Sequence, residues 1–203
     1  MSQTNQSPLP LTSTVTSTPK RNWIKLKNTR HLLSQPENRH LYTEVLSLTK
    51  YELLLDDAEK EKIEVSETSY FSGTQIKGLY LNNHIAINND MKTDTEKACV
   101  LAEELGHHYT AAGNILDQST ATNRKQEMRG RIVAYNKLVG LRGIIDAYLH
   151  NCQNLFETAE YLGVTEEFLN DSLTYYTNKY GVCTQVDNYV IFFQPSIGVM
   201  ELI

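Results

Sequence analysis

The chain has 203 residues, of which 40% are hydrophobic, and this suits one domain or one domain with a small addition. A formal net charge of −5 gives no general electrostatic reason to bind nucleic acid. No apolar run approaches the length of a membrane span, and the polar N-terminus does not have the pattern of a secretory signal. The three cysteines are widely spaced and form no C-x-x-C pattern, which is typical of reduced thiols. We therefore expect a cytoplasmic protein.

The first 40 residues are predicted to be a disordered tail and connector. Residues 1–20 are mostly Ser, Thr, Pro and Gln, which bury too little surface to offset the entropy of the chain. Beyond this tail, "LYTEVLSLTKYELLLDDAEKEKI" has apolar residues at helical spacing. The pattern predicts a helix with one apolar face that contains Leu41, Val45, Leu48 and Leu55.

Three short strands are predicted next. "IEVSE" favours a strand, and "KGLYLNNHIAINN" is typical of a hairpin that turns at Asn82-Asn83, a pair that tolerates positive φ. We expect "IEVSE", "KGLYL" and "HIAIN" to form a small antiparallel sheet.

The segment "TDTEKACVLAEELGHHYT" predicts a helix from about Thr95 to Ala111. Thr93 or Thr95 can cap it, and the acidic residues of its first turn suit a helix N-terminus. Gly113-Asn114 is expected to end it. Its inward stripe is Ala98, Leu101, Ala102 and Leu105.

The remaining pattern is mostly helical. "ILDQSTATN" is expected to be a loop, and "RKQEMRGRIVAYNKLVG" a long helix that ends near Gly140. Three shorter helices follow in "LRGIIDAYLHNCQ" and "LFETAEYLGVTEEFLNDSLTYYTNKYG", and "NYVIFFQPSIGVMEL" favours a C-terminal strand pair. The sequence therefore predicts an α+β fold, with a core over residues 41–140 and a C-terminal segment, 141–203, that packs on it.

The stretch "EELGH" has the spacing of a metal site. Glu103 and His107 are four residues apart, so on a helix they share one face and can hold one ion. Glu104 stands where a zinc-hydrolase helix carries its general base. Glu127, on the next predicted helix, is the candidate third ligand, and Asp117 is a weaker one. The pattern H-E-x-x-H would need a histidine where this chain has Glu103.

Other interpretations of these residues stay open at this stage. Two histidines and two glutamates are often a solvated helix face, and a shifted site of Glu104 with His108 is geometrically possible. Cys99 is interpreted as a buried small hydrophobe rather than a ligand. His84 is interpreted as a strand residue near the cleft, and Tyr109 as a packing residue.

The run "KGLYLNNHIAINNDMKTDTEKACVLAEELGHHYTAAGNILDQ", followed by "NRKQEMRGRIVAYNKL", resembles the ImmA/IrrE family of metallopeptidases, which phages and integrative elements commonly carry. The resemblance extends from about Tyr51 to the C-terminus. In the family's motif His107 matches the second histidine, Glu104 the general base and Glu127 the downstream glutamate ligand. Gly130 and Ala134 fall where the motif has small residues, and Glu103 replaces the first histidine.

The resemblance implies a zincin-like fold and a zinc-dependent endopeptidase of narrow specificity that cleaves a phage or mobile-element repressor. Because zinc accepts carboxylate oxygen, Glu103 can still be a ligand, although Mn²⁺ also suits such a donor set. The alternative is a catalytically silent module that binds and sequesters a repressor. The strand residues His84, Ile85, Ala86 and Ile87 are expected either to pair with an extended substrate or to be scaffold alone.

The C-terminal stretch "FETAEYLGVTEEFLNDSLTYY" has the spacing of a helix-turn-helix unit, with Gly163 in the turn. Its many acidic residues oppose contact with phosphates. We therefore expect a helical pair that packs on the core or grips the repressor, with no direct binding of nucleic acid.

Overall fold

The computed structural model describes residues 48–111 and 120–202, with side chains except those of residues 111 and 120–124. The described residues belong to one compact unit. The predicted tail at residues 1–40, the helical positions Leu41 and Val45, the Gly113-Asn114 terminator and the candidate ligand Asp117 lie outside the described residues. The division at residue 140 stays a prediction.

More than half of the described residues are helical, and two small sheets complete the fold, which confirms the α+β class. The described elements are, in chain order, α1 (Lys50–Lys60), β1 (Glu64–Thr68), β2 (Gly78–Leu81), β3 (His84–Asn88), α2 (Asp94–Ala111), α3 (Thr120–Leu138), α4 (Gly140–Leu149), α5 (Leu155–Leu162), α6 (Glu166–Tyr180), β4 (Cys183–Val186), β5 (Tyr189–Phe192) and β6 (Gly198–Glu201).

Helix α2 confirms the predicted active-site helix to within one residue. The backbone N–H of Glu96 donates to Thr93 Oγ1 at 3.2 Å, and the Glu96 carboxylate accepts from the Thr93 N–H at 3.3 Å. This reciprocal capping box satisfies two backbone donors that the helix leaves free, so Thr93 is the cap. The predicted inward stripe is completely buried, at 0% exposure for Ala98, Leu101, Ala102 and Leu105.

Helix α1 begins later than its apolar pattern predicted. Thr49 and Glu52 form a second capping box, which starts the helix at Lys50 and sets which face is buried. Its buried residues are Tyr51, Leu54 and Ala58, not the predicted Leu48 and Leu55 face. The prediction of that face was wrong because Leu48 precedes the cap, and Leu55 is half-buried at the edge of the core.

The first sheet has the order β1-β3-β2. The β2–β3 hairpin is confirmed, with Asn82 and Asn83 at φ of 48° and 63° in its turn. The expectation that all three strands would be antiparallel was wrong, because β1 pairs with β3 in parallel. Residues 69–77 carry the chain across the sheet, so β2 forms the far edge and β3 returns between the two strands.

The three short helices α4, α5 and α6 and the β5–β6 strand pair are confirmed. The sequence missed β4, which pairs with β5 to make a second antiparallel sheet of three strands, because "CTQV" is too short and too polar to stand out. Residues 120–123, predicted as loop, begin α3. Within the described ranges, every helix is too short or too polar to cross a bilayer.

Two glycines let α2 and α3 approach backbone to backbone. A Cβ built on Gly106 would stand 2.1 Å from the carbonyl oxygen of Gly130, far inside van der Waals contact. The contact lies one residue before His107 and three after Glu127, so it brings together two predicted ligands that are 20 positions apart in the sequence.

We predict that Gly106→Ala destabilises the protein by about 3 kcal/mol or more, because the added methyl group meets backbone that cannot rotate away. Gly198→Ala is the control, since a Cβ there meets no atom within 4 Å. Chemical denaturation of both variants measures the effect. Equal stabilities would show that the two helices can separate without cost.

Candidate metal centre

The predicted metal-binding and catalytic residues of α2 have two different surroundings, the cleft and helix α3. Glu103 and Glu104 both line a cleft of about 630 Å³. His107, one turn later, faces α3, because a Cβ built on Gly130 would stand 2.8 Å from its Nδ1. A side chain at position 130 would therefore displace the imidazole, which gives a physical reason for the small residue predicted there.

The structure brings two of the three predicted ligands together. Nε2 of His107 lies 3.3 Å from Oε2 of Glu127. Nε of Arg131 donates to the other carboxylate oxygen of Glu127, Oε1, at 3.1 Å. Each oxygen of Glu127 thus has its own partner, and the orientation of the carboxylate is set.

The spacing of this pair fits a metal. Tetrahedral zinc with ligand bonds of about 2.0–2.2 Å holds two ligand atoms about 3.3–3.5 Å apart. The 3.3 Å between His107 Nε2 and Glu127 Oε2 agrees with this spacing. An imidazole nitrogen and carboxylate oxygens are also donors that zinc accepts.

The third predicted ligand, Glu103, does not complete this pair. Among the residues that the structure describes, no three His, Cys, Asp or Glu side chains stand close enough together to hold a metal ion. Burial raises the pKa of Glu103, and the negative charges of Glu127 and Asp171 add to the rise, while Arg131 and Lys77 oppose it. The carboxylate of Glu103 therefore feels the charges of the neighbouring acidic and basic side chains, but it does not form a three-residue metal-binding group with His107 and Glu127.

Glu104 has the environment of a proton acceptor. Burial raises its pKa to about 7, the negative charge of Glu103 adds to the rise, and a hydrogen bond from the Tyr80 backbone opposes it. Its carboxylate packs on β2, where a Cβ at Gly78 would stand 2.8 Å from Oε1. A carboxyl group with a pKa near neutrality can both accept and release a proton near pH 7.

The cleft beside Glu103 and Glu104 has walls from separate parts of the chain. Residues 75–78 form one wall, α2 the floor, and the first turns of α6 another wall, through Glu167, Phe168 and Asp171. Lys77 and Glu167 face each other from opposite walls, with Nζ 3.8 Å from the carboxylate. This placement of α6 agrees with a helical pair that packs on the core.

Three residues that sequence patterns did not single out contribute to the site: Tyr80, Arg131 and Asp171. Tyr80 Oη lies 2.9 Å from Nδ1 of His108 and donates to Asn83 Oδ1 at 3.1 Å. His108 therefore has a partner on β2, and the structure does not join it with Glu104 in the shifted site. Of these three residues, only Arg131 could have been found from the sequence, because it follows Glu127 by four residues and such an acid–base pair is typical of one helix face.

The structure contradicts strand addition at β3. This strand is paired on both sides, with β1 and with β2, so its backbone has no free edge for a substrate. Ile85 and Ile87 are also at 0% exposure, which makes them core residues. His84 is exposed, its Nδ1 lies 3.2 Å from Glu64, and it pairs with Leu81 at the hairpin turn. The pairing therefore favours the scaffold interpretation of these strand residues.

Cys99 and Tyr109, two neighbours of the site on α2, differ in burial. Cys99 is 6% exposed, and burial raises the pKa of its thiol to about 11, so it is the buried hydrophobe that was predicted. Tyr109 is exposed, and its ring meets the ring of His108 edge to face at a centroid distance of 5.4 Å.

The half-buried glutamates and the histidine of α2, and the glutamate that α3 adds, all lie within the part of the chain that a known family model covers. Residues 58–174 match the family model of the IrrE N-terminal-like domain, peptidase family M78, and the chain belongs to this family. The family is one of metallopeptidases that generally depend on zinc. No curated protein and no solved structure matches the chain.

The raised pKa of Glu104 predicts a pH dependence of stability. The folded-state pKa of about 7 exceeds the ordinary value of 4.5, so the stabilising contribution of Glu104 is complete below about pH 4.5 and is lost as the pH rises to about 7. Glu104→Gln stays neutral. We expect the metal-free variant to gain about 2 kcal/mol over the wild type between pH 5 and pH 8.

Urea denaturation at several pH values measures this difference. The exposed substitution Glu59→Gln on α1 is the control and should leave the pH dependence unchanged. A constant difference between Glu104→Gln and the wild type at all pH values would mean that Glu104 titrates normally.

Proposed function

We propose that the protein is a metal-dependent endopeptidase of narrow specificity whose substrate is a DNA-binding repressor of a phage or mobile element. The observation that carries the proposal is the 3.3 Å contact of His107 with Glu127, beside a glutamate with a pKa of about 7, in a member of a metallopeptidase family. The family's association with mobile elements supports the choice of substrate.

Glu103, His107 and Glu127 would hold the metal. Bound zinc supplies Lewis-acid polarisation of the scissile carbonyl. Glu104 accepts a proton from the attacking water and then gives it to the leaving amine, and its pKa of about 7 suits both transfers.

Glu103, which stands where the family motif has its first histidine, makes the metal site less positive. Two carboxylates and one neutral imidazole cancel the charge of a divalent ion, so we expect weaker polarisation and slower hydrolysis than at a site with two histidines. A carboxylate-rich set also reduces the preference for zinc over Mn²⁺. Slow hydrolysis suffices for an enzyme that cuts a single regulator.

The edge strand β2 is the surface on which an extended substrate can dock. In the described sheet β2 pairs with β3 on one side only, and its Tyr80 backbone already contacts the Glu104 carboxylate. A peptide added along this edge by strand pairing would pass directly over Glu104. The wall from α6 narrows the approach, which favours few substrates over many.

One observation favours a second function. Because Glu103 does not join His107 and Glu127 in a metal-holding cluster of described residues, a catalytically silent module that binds a repressor fits the same fold. Metal analysis of protein purified without added metal or chelator separates the two: about one equivalent, lost in His107→Ala, supports the peptidase, and none supports the silent module.

We predict that Glu104→Gln abolishes hydrolysis of the repressor while zinc stays bound, because the general base is lost and the ligands remain. His107→Ala should lose both properties. Zinc content and cleavage are measured on the same preparations. If Glu104→Gln loses zinc as completely as His107→Ala, Glu104 is itself a ligand and its assignment as base is wrong.

We predict that Glu103→His raises zinc affinity, because imidazole is a softer ligand than carboxylate, and that Glu103→Ala lowers it at least tenfold, on the order of 1.4 kcal/mol. Calorimetric titration of zinc into the wild type and both variants in one buffer tests this. Equal affinities in all three proteins would show that Glu103 does not touch the metal.

A further inference from the structure

The charge balance around Glu127 assigns a function to Arg131. Its Nε donates to Glu127 Oε1 at 3.1 Å, while Glu127 Oε2 lies 3.3 Å from His107. The guanidinium therefore binds the same carboxylate that would bind a metal, but through the other oxygen.

Arg131 also lies beside the other carboxylates of the site. It lines the cleft together with Glu103 and Glu104. Its positive charge opposes the rise that burial causes in the pKa of Glu103, and the charges of Glu103 and Glu127 in turn favour the protonated guanidinium. Lys77, another cation that lines the cleft, also opposes the rise in the pKa of Glu103, but its Nζ lies 3.8 Å from the carboxylate of Glu167.

We infer that Arg131 is a positioning residue and a permanent counter-charge for Glu103 and Glu127, so that it stabilises the metal-free protein and competes electrostatically with the divalent ion. The inference rests on the proposed metal-binding function. A guanidinium carries its charge at every working pH, so this stabilisation does not depend on protonation.

If Arg131 competes with the metal ion, its removal changes the zinc affinity in the opposite direction from the removal of a residue that only supports a ligand. A residue that only holds a metal ligand in place strengthens metal binding, and its loss typically weakens affinity about 10–100-fold. A cation that neutralises the same carboxylates repels a divalent ion nearby, and its loss tightens binding. The guanidinium donates to the Glu127 carboxylate and also lies in the field of the half-buried Glu103 carboxylate, so we expect the second effect to be the larger one here.

The test is calorimetric titration of zinc chloride into the chelator-treated full chain at about pH 7.5. We expect Arg131→Gln to bind zinc about tenfold more tightly than the wild type. Arg131→Lys, which keeps the charge, should stay within about threefold of the wild type. Arg129→Gln is the matched control, because it removes one exposed positive charge from the same helix and should change nothing.

Melting temperatures supply a second readout. Without metal, Arg131→Gln should melt about 3–6 °C below the wild type, and with saturating zinc the two should melt together. Equal or weaker zinc binding by Arg131→Gln overturns the inference, as does the same loss of melting temperature with and without zinc. If the wild type binds no zinc, the proposed function is wrong, and so is the competition of Arg131 with a metal ion. If Arg131→Gln and the wild type melt at the same temperature without metal, only the claim that Arg131 stabilises the metal-free protein is wrong.

Discussion

The close approach of α2 and α3 at Gly106 and Gly130 is the contact on which the site depends. A backbone-to-backbone contact fixes the distance between the helices more firmly than side-chain packing does, because no rotamer can relax it. It is the reason that a histidine on one helix and a glutamate on the next meet at 3.3 Å. Gly130 also leaves the space in which the His107 ring lies.

Bringing these helices together has an electrostatic consequence. The contact gathers three carboxylates on the boundary of the core, where burial raises the pKa of both Glu103 and Glu104. Carboxylates in such a place are tolerated when cations or hydrogen bonds compensate them. Two different groups compensate the carboxylates here. The Tyr80 backbone forms a hydrogen bond with Glu104, and the Arg131 guanidinium donates to Glu127.

Local chemistry explains what could be predicted from the sequence. Helix α2 was placed to within one residue because a capping box and an apolar stripe act within a few positions of each other. The pairing of His107 with Glu127 was expected from a family resemblance, and the structure shows the contact. Glu103 was expected beside them because residues four apart share a helix face, but a shared face does not fix the rotamers that a three-ligand cluster needs.

Long-range arrangement explains what could not be predicted. The order of β1, β2 and β3 depends on how residues 69–77 cross the sheet, and no local pattern encodes it. Of the two alternatives that the sequence left open for β3, substrate pairing lacks a free edge for this reason, since the hairpin strand is central and β2 is at the edge of the described sheet. The position of α6 over the cleft likewise follows from packing between segments distant in sequence.

Helix geometry separates the functions of neighbouring residues on α2. Successive residues point about 100° apart, so one turn can face β2, the cleft and α3 in succession. Glu104 packs on Gly78, His107 packs on Gly130, and Glu103 lines the cleft. A change at position 103 therefore alters the charge of the cleft without disturbing the packing of either neighbour. Arg131 lines the same cleft, and its charge opposes the rise in the pKa of Glu103, so the charge at position 103 is balanced within the cleft itself.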